Sequence, residues 1–285
     1  MNATDSRRRW LALRHFLLAL QFFTRIPVTG RLALWVGYSP AMLRASAAHF
    51  PGVGVLLGAA GATLAWAVLT ALPAAPAAAW VAAWLTTALG IGLTGAFHED
   101  GLADVADGLG GSLDRNRALE IMKDSRVGSF GVVALVLALL GKVALLALLG
   151  ERGAALMASA FWAAQSVSRT WPLLTIARLT HVGDVAGSKS KPLADQIAPS
   201  ALAVGTVWCV LGLALPGWLW GDALAAAGLR WVSVVAALSA SAAAWGWTLR
   251  WFQRRLQGFT GDCLGATQQV CELAFYLGLA LTLAP

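Results

Sequence analysis

Long apolar runs separated by four polar segments organise this chain. Six stretches are nearly free of charge over enough residues to cross ~30 Å of hydrocarbon as helices, and a seventh follows the same pattern. They fall at about 50–72, 77–97, 130–150, 154–177, 200–220, 230–249 and 264–284. An eighth apolar run, 10–23, has Arg7, Arg8 and Arg9 before it and Arg25 and Arg31 after it. Crossing would carry one basic flank through the bilayer, so the pattern predicts an interfacial or re-entrant helix, ended near Pro27 and Gly30. The run is broken by Arg14 and His15 and lacks a small-residue cleavage site, so it does not read as a cleavable signal. The expected fold is an all-α polytopic membrane protein. It has about seven transmembrane helices plus the N-terminal helix, in a single integral membrane domain over 1–285, with no internal repeat and no soluble domain.

Composition sharpens this. Hydrophobic residues make up 58% of the chain and charged residues 12%, where globular domains carry roughly 25% charged residues. Many of the 14 Trp, among them Trp80, Trp171, Trp218, Trp220, Trp231 and Trp251, stand near predicted span ends, as in interfacial aromatic belts. The net charge of +7 raises the question of nucleic acid, and its distribution answers it. With alternating spans, 17 of the 21 Lys and Arg fall on one face, in the segments 1–49, 98–129, 178–199 and 250–263; Arg152 and Arg230 fall on the other. The positive-inside rule puts the richer face in the cytoplasm, so the basic bias reads as topology and no nucleic-acid partner is expected. The polar loops at about 24–49, 98–129, 178–199 and 250–263 then emerge together on the cytoplasmic face of a bacterial inner membrane. Cys209, Cys263 and Cys271 show no metal spacing and receive no role. Oligomeric state, including a homo-oligomer, is left open.

Acid is scarce and clustered. Seven of the 14 Asp and Glu residues lie between 98 and 126: Glu99, Asp100, Asp104, Asp107, Asp114, Glu120 and Asp124. Crowded carboxylates repel and take up protons unless a cation intervenes, and an all-oxygen site suits Mg²⁺. Asp100, Asp104 and Asp107 at i, i+4 and i+7 share about 60° of arc if the segment is helical. Glu99, Asp100, Asp104 and Asp107 are therefore the candidate metal ligands. Gly101, Gly108, Gly110 and Gly111 are expected to leave room for a phosphate ligand. The competing reading is a solvated acidic face at the end of a span.

Lys123, Asp124, Ser125 and Arg126 follow. Lys123 and Arg126 beside an acidic site suit a phosphate clamp, although basic flanking of the next span explains them as well. The Gly-rich turn Gly258–Ala266 opens the last span, and its Asp262 is a further ligand, the helix N-cap, or both. Lys142, Arg169 and Glu272 lie inside spans and need partners or water; Arg169 is placed in the same cytoplasmic cavity. Arg25 adds a cation to that face. A membrane cation transporter using the acidic cluster is the alternative these charges keep in view. CDP-alcohol phosphotransferases share the start of the acidic pattern at Asp104, Asp107 and Gly108, but their later Arg, Gly and Asp positions fall here on Ser112, Ile121, Ser125 and Ser129.

Another family matches throughout. Phe97-His98-Glu99-Asp100-Gly101-Leu102-Ala103-Asp104 with Asp107-Gly108, the segment Leu119–Gly128, and Thr260–Ala266 resemble the cobalamin synthase family (adenosylcobinamide-GDP ribazoletransferase). Phe22–Val28 and Phe50–Gly54 resemble its N-terminal motifs, and the likeness runs from about residue 16 to the C-terminus. Lys123 stands where Arg is also common in that family. The resemblance implies the last assembly step of the corrinoid nucleotide loop. A ribose hydroxyl of α-ribazole or its 5′-phosphate attacks the cobinamide-linked phosphorus of adenosylcobinamide-GDP, with Mg²⁺ as cofactor, releasing GMP. On this reading Asp104, Asp107 and Asp124 are the catalytic candidates, and Arg25, Lys123, Arg126, Arg169 and Asp262 bind substrate phosphates.

Overall fold

The computed structural model describes residues 10–183 and 197–283. Arg7, Arg8, Arg9 and most of the 178–199 segment lie outside the described residues. Those described form twelve α-helices and no strand. In order they are α1 (Leu11–Phe23), α2 (Gly30–Val36), α3 (Pro40–Ser46), α4 (Phe50–Ala71), α5 (Pro76–Thr94), α6 (Phe97–Gly111), α7 (Arg115–Ile121), α8 (Ser129–Gly150), α9 (Ala154–Arg178), α10 (Pro199–Ala226), α11 (Trp231–Leu256) and α12 (Gly261–Ala280).

Five helical stretches are long and apolar enough to cross a membrane: Pro40–Ala71, Ala77–Thr94, Ser129–Gly150, Pro199–Ala226 and Trp231–Leu256. Several such helices are what a multi-pass membrane protein requires. Helices α9 and α12 occupy the other two expected spans but are less apolar. They carry Gln165, Ser166, Ser168 and Arg169, and Gln268, Gln269 and Glu272, all buried. The reason is position: α9 is the hub, packed against α4, α8, α10 and α12. A helix wrapped by protein needs no lipid-facing stripe and can hold polar groups that its neighbours satisfy. Helix α1 is 13 residues, about 20 Å long, which is too short to cross and leans instead on α3 and α4.

Small residues bring the hub together. Along α4, Gly54, Gly58 and Gly61 recur on one face, and a Cβ at Gly54 would collide with the backbone carbonyl of Gln165 on α9. This is how membrane helices reach close packing without a hydrophobic driving force between them. Pro216 removes an amide from α10, and the chain leaves helical geometry at Trp220 (φ −129°, ψ 23°) one turn later.

The polar segments meet at one end of the bundle. The Arg25 amide donates to the Leu93 carbonyl (2.7 Å), joining the 24–29 stretch to the end of α5. Arg115 donates to the carbonyl of Leu256 (2.7 Å), and Arg255 donates to those of Ser112 (2.6 Å) and Leu109 (3.2 Å). Among the described residues one β-bridge pairs His181 with Phe259, held by Val182 N to Phe259 O at 2.8 Å and Phe259 N to Thr180 O at 3.0 Å. At the opposite end Gly150 lies against Leu69, Ala79 and Met157.

Candidate active site at the α6–α12 seam

The acidic segment is helical, so Asp100, Asp104 and Asp107 fall within about 60° of arc on α6. Helix α6 starts from two left-handed residues, Gly95 (φ +66°) and Ala96 (φ +59°), which turn the chain sharply out of α5. A side chain at Gly95 would run into that of Arg25. Helix α6 then lies antiparallel along α12. A Cβ at Gly101 would come within 2.7 Å of the Asp262 carbonyl, and one at Gly265 within 3.2 Å of the His98 carbonyl. Farther along, Gln269 Nε2 donates to Glu99 Oε1 at 3.0 Å. The seam brings Asp100 and Asp104 of α6 together with Asp262 of α12. Thr260 is the N-cap of α12, accepting from the Cys263 amide and donating to Asp262 Oδ2 at 3.2 Å. The N-cap alternative for Asp262 is thereby resolved: Thr260 caps, and the Asp262 carboxylate turns its charge on Asp104.

That charge is felt. Half-buried Asp104 is pushed up to about 7, first by burial and then by the negative charges of Asp262, Asp100 and Asp107. Neighbouring His98 is buried and held well below its usual range by desolvation and by the Arg169 and Lys142 charges, so it is neutral at pH 7. The donor set is all oxygen and electrostatically frustrated, which fits a hard divalent cation. No three His, Cys, Asp or Glu side chains among the described residues lie close enough to hold a metal ion by themselves. Mg²⁺ characteristically takes only one or two carboxylates and completes its shell with water and substrate phosphates. The residues therefore fit such an ion as a shared site, not as a closed four-carboxylate cage.

Two expected ligands have other partners. Both oxygens of Asp107 accept backbone amides at the start of α8, from Gly128 (2.7 Å) and Gly131 (2.8 Å). Its carboxylate caps that helix and meets the positive end of its dipole. Glu99 points inward, 7% exposed, onto Gln269. Three of the four glycines expected to admit phosphate instead permit close packing: Gly101 onto Asp262, Gly108 onto Ala118 of α7 and Met122 just after it, and Gly110 onto Phe130; Gly111 is exposed and lines the Asp124–Arg126 groove. At Gly101, Gly108 and Gly110 the approaching group is protein backbone or side chain.

The cations divide likewise. A groove of about 460 Å³ runs past Asp107, Arg117, Asp124, Arg126 and the start of α8. At its edge Arg126 grips Asp124 with two prongs, Nε to Oδ1 at 3.0 Å and Nη2 to Oδ2 at 2.6 Å. Arg126 holds the Asp124 carboxyl down at about 2, too weak a base to accept a hydroxyl proton efficiently near neutrality. Lys123 is exposed nearby, and Arg25 is exposed at the α5–α6 turn. Arg169 does not share their surface. It is 2% exposed, donates to Gln165 O (3.0 Å) and Oε1 (2.6 Å), and lies over the Phe50 ring at 5.6 Å. The expectation that it faces the cytoplasmic cavity is corrected: four neighbouring helices enclose it.

The remaining intramembrane charges compensate one another. Lys142 Nζ and Glu272 Oε1 form a buried ion pair at 2.7 Å. Gln165, Gln268 and Tyr276 complete the carboxylate's shell at 2.7–2.8 Å, and Gln268 also donates to Ser168 at 3.0 Å. The charges that suggested ion transport are thus largely internal partners. The amides of this network were not singled out in the sequence, although Gln268, Gln269 and Glu272, within five residues of an otherwise apolar run, carry the signal.

The model for the cobalamin-5-phosphate synthase family matches residues 15–280. The chain is 63% identical over 278 residues to the adenosylcobinamide-GDP ribazoletransferase of Albidiferax ferrireducens, covering 95% of this chain and 99% of that protein. It is 58% identical to the protein of that name from Polaromonas naphthalenivorans, with 95% and 99% covered. It is 39% identical to the one from Vibrio cholerae, with 93% and 92% covered. No solved structure matches.

Proposed function

The chain belongs to the cobalamin-5-phosphate synthase family, and from that premise we propose that it joins adenosylcobinamide-GDP to α-ribazole or its 5′-phosphate, using Mg²⁺. It is a transferase that performs the final nucleotide-loop assembly of cobalamin biosynthesis. A ribose hydroxyl oxygen bonds to the cobinamide-linked phosphorus, the bond from that phosphorus to the GMP phosphate oxygen breaks, and adenosylcobalamin or its phosphate leaves with GMP. The observation that carries the site assignment is Asp104, raised to about 7 at a seam where Asp100 and Asp262 face it. A carboxylate in that range is poised to take the hydroxyl proton. Asp100 and Asp262 are the residues that would hold Mg²⁺ together with substrate phosphate oxygens. When bound, the ion neutralises charge on the pyrophosphate. Arg126, Lys123 and Arg25 supply cations for the GDP phosphates on the same face, and catalysis of this kind is mainly positioning and charge neutralisation.

The membrane placement belongs to the same proposal. Seven spans, with α9 and α12 as the enclosed pair, an interfacial α1 and the acidic seam on the cytoplasmic face of the inner membrane, agree with the 17-to-2 division of basic residues. The test is release of GMP by purified protein given adenosylcobinamide-GDP and α-ribazole 5′-phosphate, with and without Mg²⁺. Mg²⁺-dependent release is expected; none at any Mg²⁺ concentration overturns the assignment.

A further inference from the structure

Among the described residues, two charged side chains keep a fully buried atom without a partner: Arg169 through Nε and Glu99 through Oε2. They are of opposite sign. Apart from Asp107, which caps α8, the buried charged side chains among the described residues are Lys142, Arg169, Glu272 and Glu99. Lys142 and Glu272 close one pair at 2.7 Å. Arg169 hydrogen-bonds only to the neutral Gln165, and the carboxylates whose charge acts on it are those of Glu272 and Glu99. A buried guanidinium is costly unless a counter-charge stands near it, and with Glu272 paired to Lys142, Glu99 is the carboxylate left to supply one.

Glu99 is also a mechanical anchor. Its Oε1 accepts from Gln269 of α12, whose Nε2 also meets Gln268 Oε1 at 3.0 Å, and Gln268 reaches Glu272 at 2.8 Å. Successive helix residues are 100° apart, so a side chain pinned at Glu99 fixes the rotation of α6. Asp100 and Asp104, 40° from one another on the outward face, are then aimed at Asp262. We infer that Glu99 is a positioning residue: it balances Arg169 and, through Gln269, holds α6 in register with α12, without itself ligating the catalytic cation. Its kinetic consequences rest on the reaction proposed above; its structural ones do not.

Three variants test this: Glu99→Gln, Gln269→Glu, and the double variant that exchanges the two side chains. The exchange returns one carboxylate and one amide to the pair and reverses the hydrogen bond. Each single variant is expected to lower the thermal midpoint of the purified protein and to lower kcat at least tenfold. The Mg²⁺ half-saturation should stay within twofold of wild type, and the exchange should recover most of the midpoint and at least a third of kcat. A tenfold rise in the Mg²⁺ half-saturation of Glu99→Gln, with kcat restored at high Mg²⁺, makes Glu99 a ligand and overturns the proposal. Recovery of the midpoint without recovery of kcat overturns it too, because a carboxylate is then needed at position 99 itself. An exchange that recovers neither does the same. If the wild type does not release GMP, the reaction is at fault, and the midpoints of the four proteins still decide the pairing.

Discussion

The Asp107 carboxylate spans 21 residues of sequence to accept the Gly128 amide at 2.7 Å, with its second oxygen on Gly131 at 2.8 Å. Two ionic hydrogen bonds at a helix N-terminus are a folding interaction, each contributing about 1.5–3 kcal/mol when the acceptor is charged. Asp107→Asn keeps one acceptor oxygen and loses the charge. It should lower the stability of the purified protein by about 1–3 kcal/mol and lower its yield in membranes, while the Mg²⁺ half-saturation of the surviving enzyme stays at the wild-type value. A large shift in Mg²⁺ requirement with unchanged stability would return Asp107 to the metal site.

Asp104 predicts the reverse pattern. In the folded protein it holds its proton up to about pH 7, against 3.8 for an ordinary Asp carboxyl. The folded state therefore binds the extra proton between those values. The stability this confers is present at low pH and is lost as pH rises through about 7. Without divalent cations, the thermal midpoint should fall between pH 6 and pH 8.5 by more in wild type than in Asp104→Asn. Mg²⁺ should restore the wild type most at the alkaline end, because the ion binds the deprotonated site. Turnover of Asp104→Asn should drop at least a hundredfold, as on loss of a general base. Identical pH slopes in the two proteins would refute the reading of Asp104.

Much of this was legible in the chain because apolar runs and charge sparsity report directly on the bilayer. Helices stand at all seven expected positions, and the acidic stretch takes the helical form under which its three Asp share one side. What the sequence could not convey was the partner of each polar group. Asp107 resembles Asp104 in spacing and neighbours; only the tertiary placement of Gly128 and Gly131 separates a helix cap from a site carboxylate. Arg169 reads as facing a cavity, and Glu272 as a charge in need of a partner or water, because nothing local shows that α9 and α12 bury their polar side chains against neighbouring helices. That packing is also why these two helices lack the long apolar stretch that the other five carry.

Orientation has its own test. In a background with Cys209, Cys263 and Cys271 replaced by Ala, single Cys residues at Leu113 and Gly111 should react with an impermeant thiol reagent only from the cytoplasmic side. Those at Ala75 and Ala223 should react only from the outside. All four positions are exposed, so silence would not come from burial. Labelling of position 113 from the periplasm would reverse the topology and remove the access of cytoplasmic nucleotide to the seam.

Arg126 discriminates between a clamp and a topology charge. Its fork holds the Asp124 carboxylate at 2.6 and 3.0 Å, the two-pronged geometry with which a guanidinium also takes a phosphate. Arg126→Lys keeps the charge but loses the planar two-pronged donor. If Arg126 grips the reacting pyrophosphate, the Lys variant should turn over at least tenfold more slowly, about 1.4 kcal/mol of barrier, and Arg126→Ala more slowly still. Asp124→Asn should have the opposite tendency: it frees the fork, so the apparent affinity for adenosylcobinamide-GDP should hold or improve, and kcat should change less than threefold. The positive-inside rule counts Lys and Arg alike. Equal turnover of wild type and Arg126→Lys at matched membrane abundance would therefore leave Arg126 as a flanking charge. A hundredfold loss in Asp124→Asn would instead make Asp124 the group that meets the substrate.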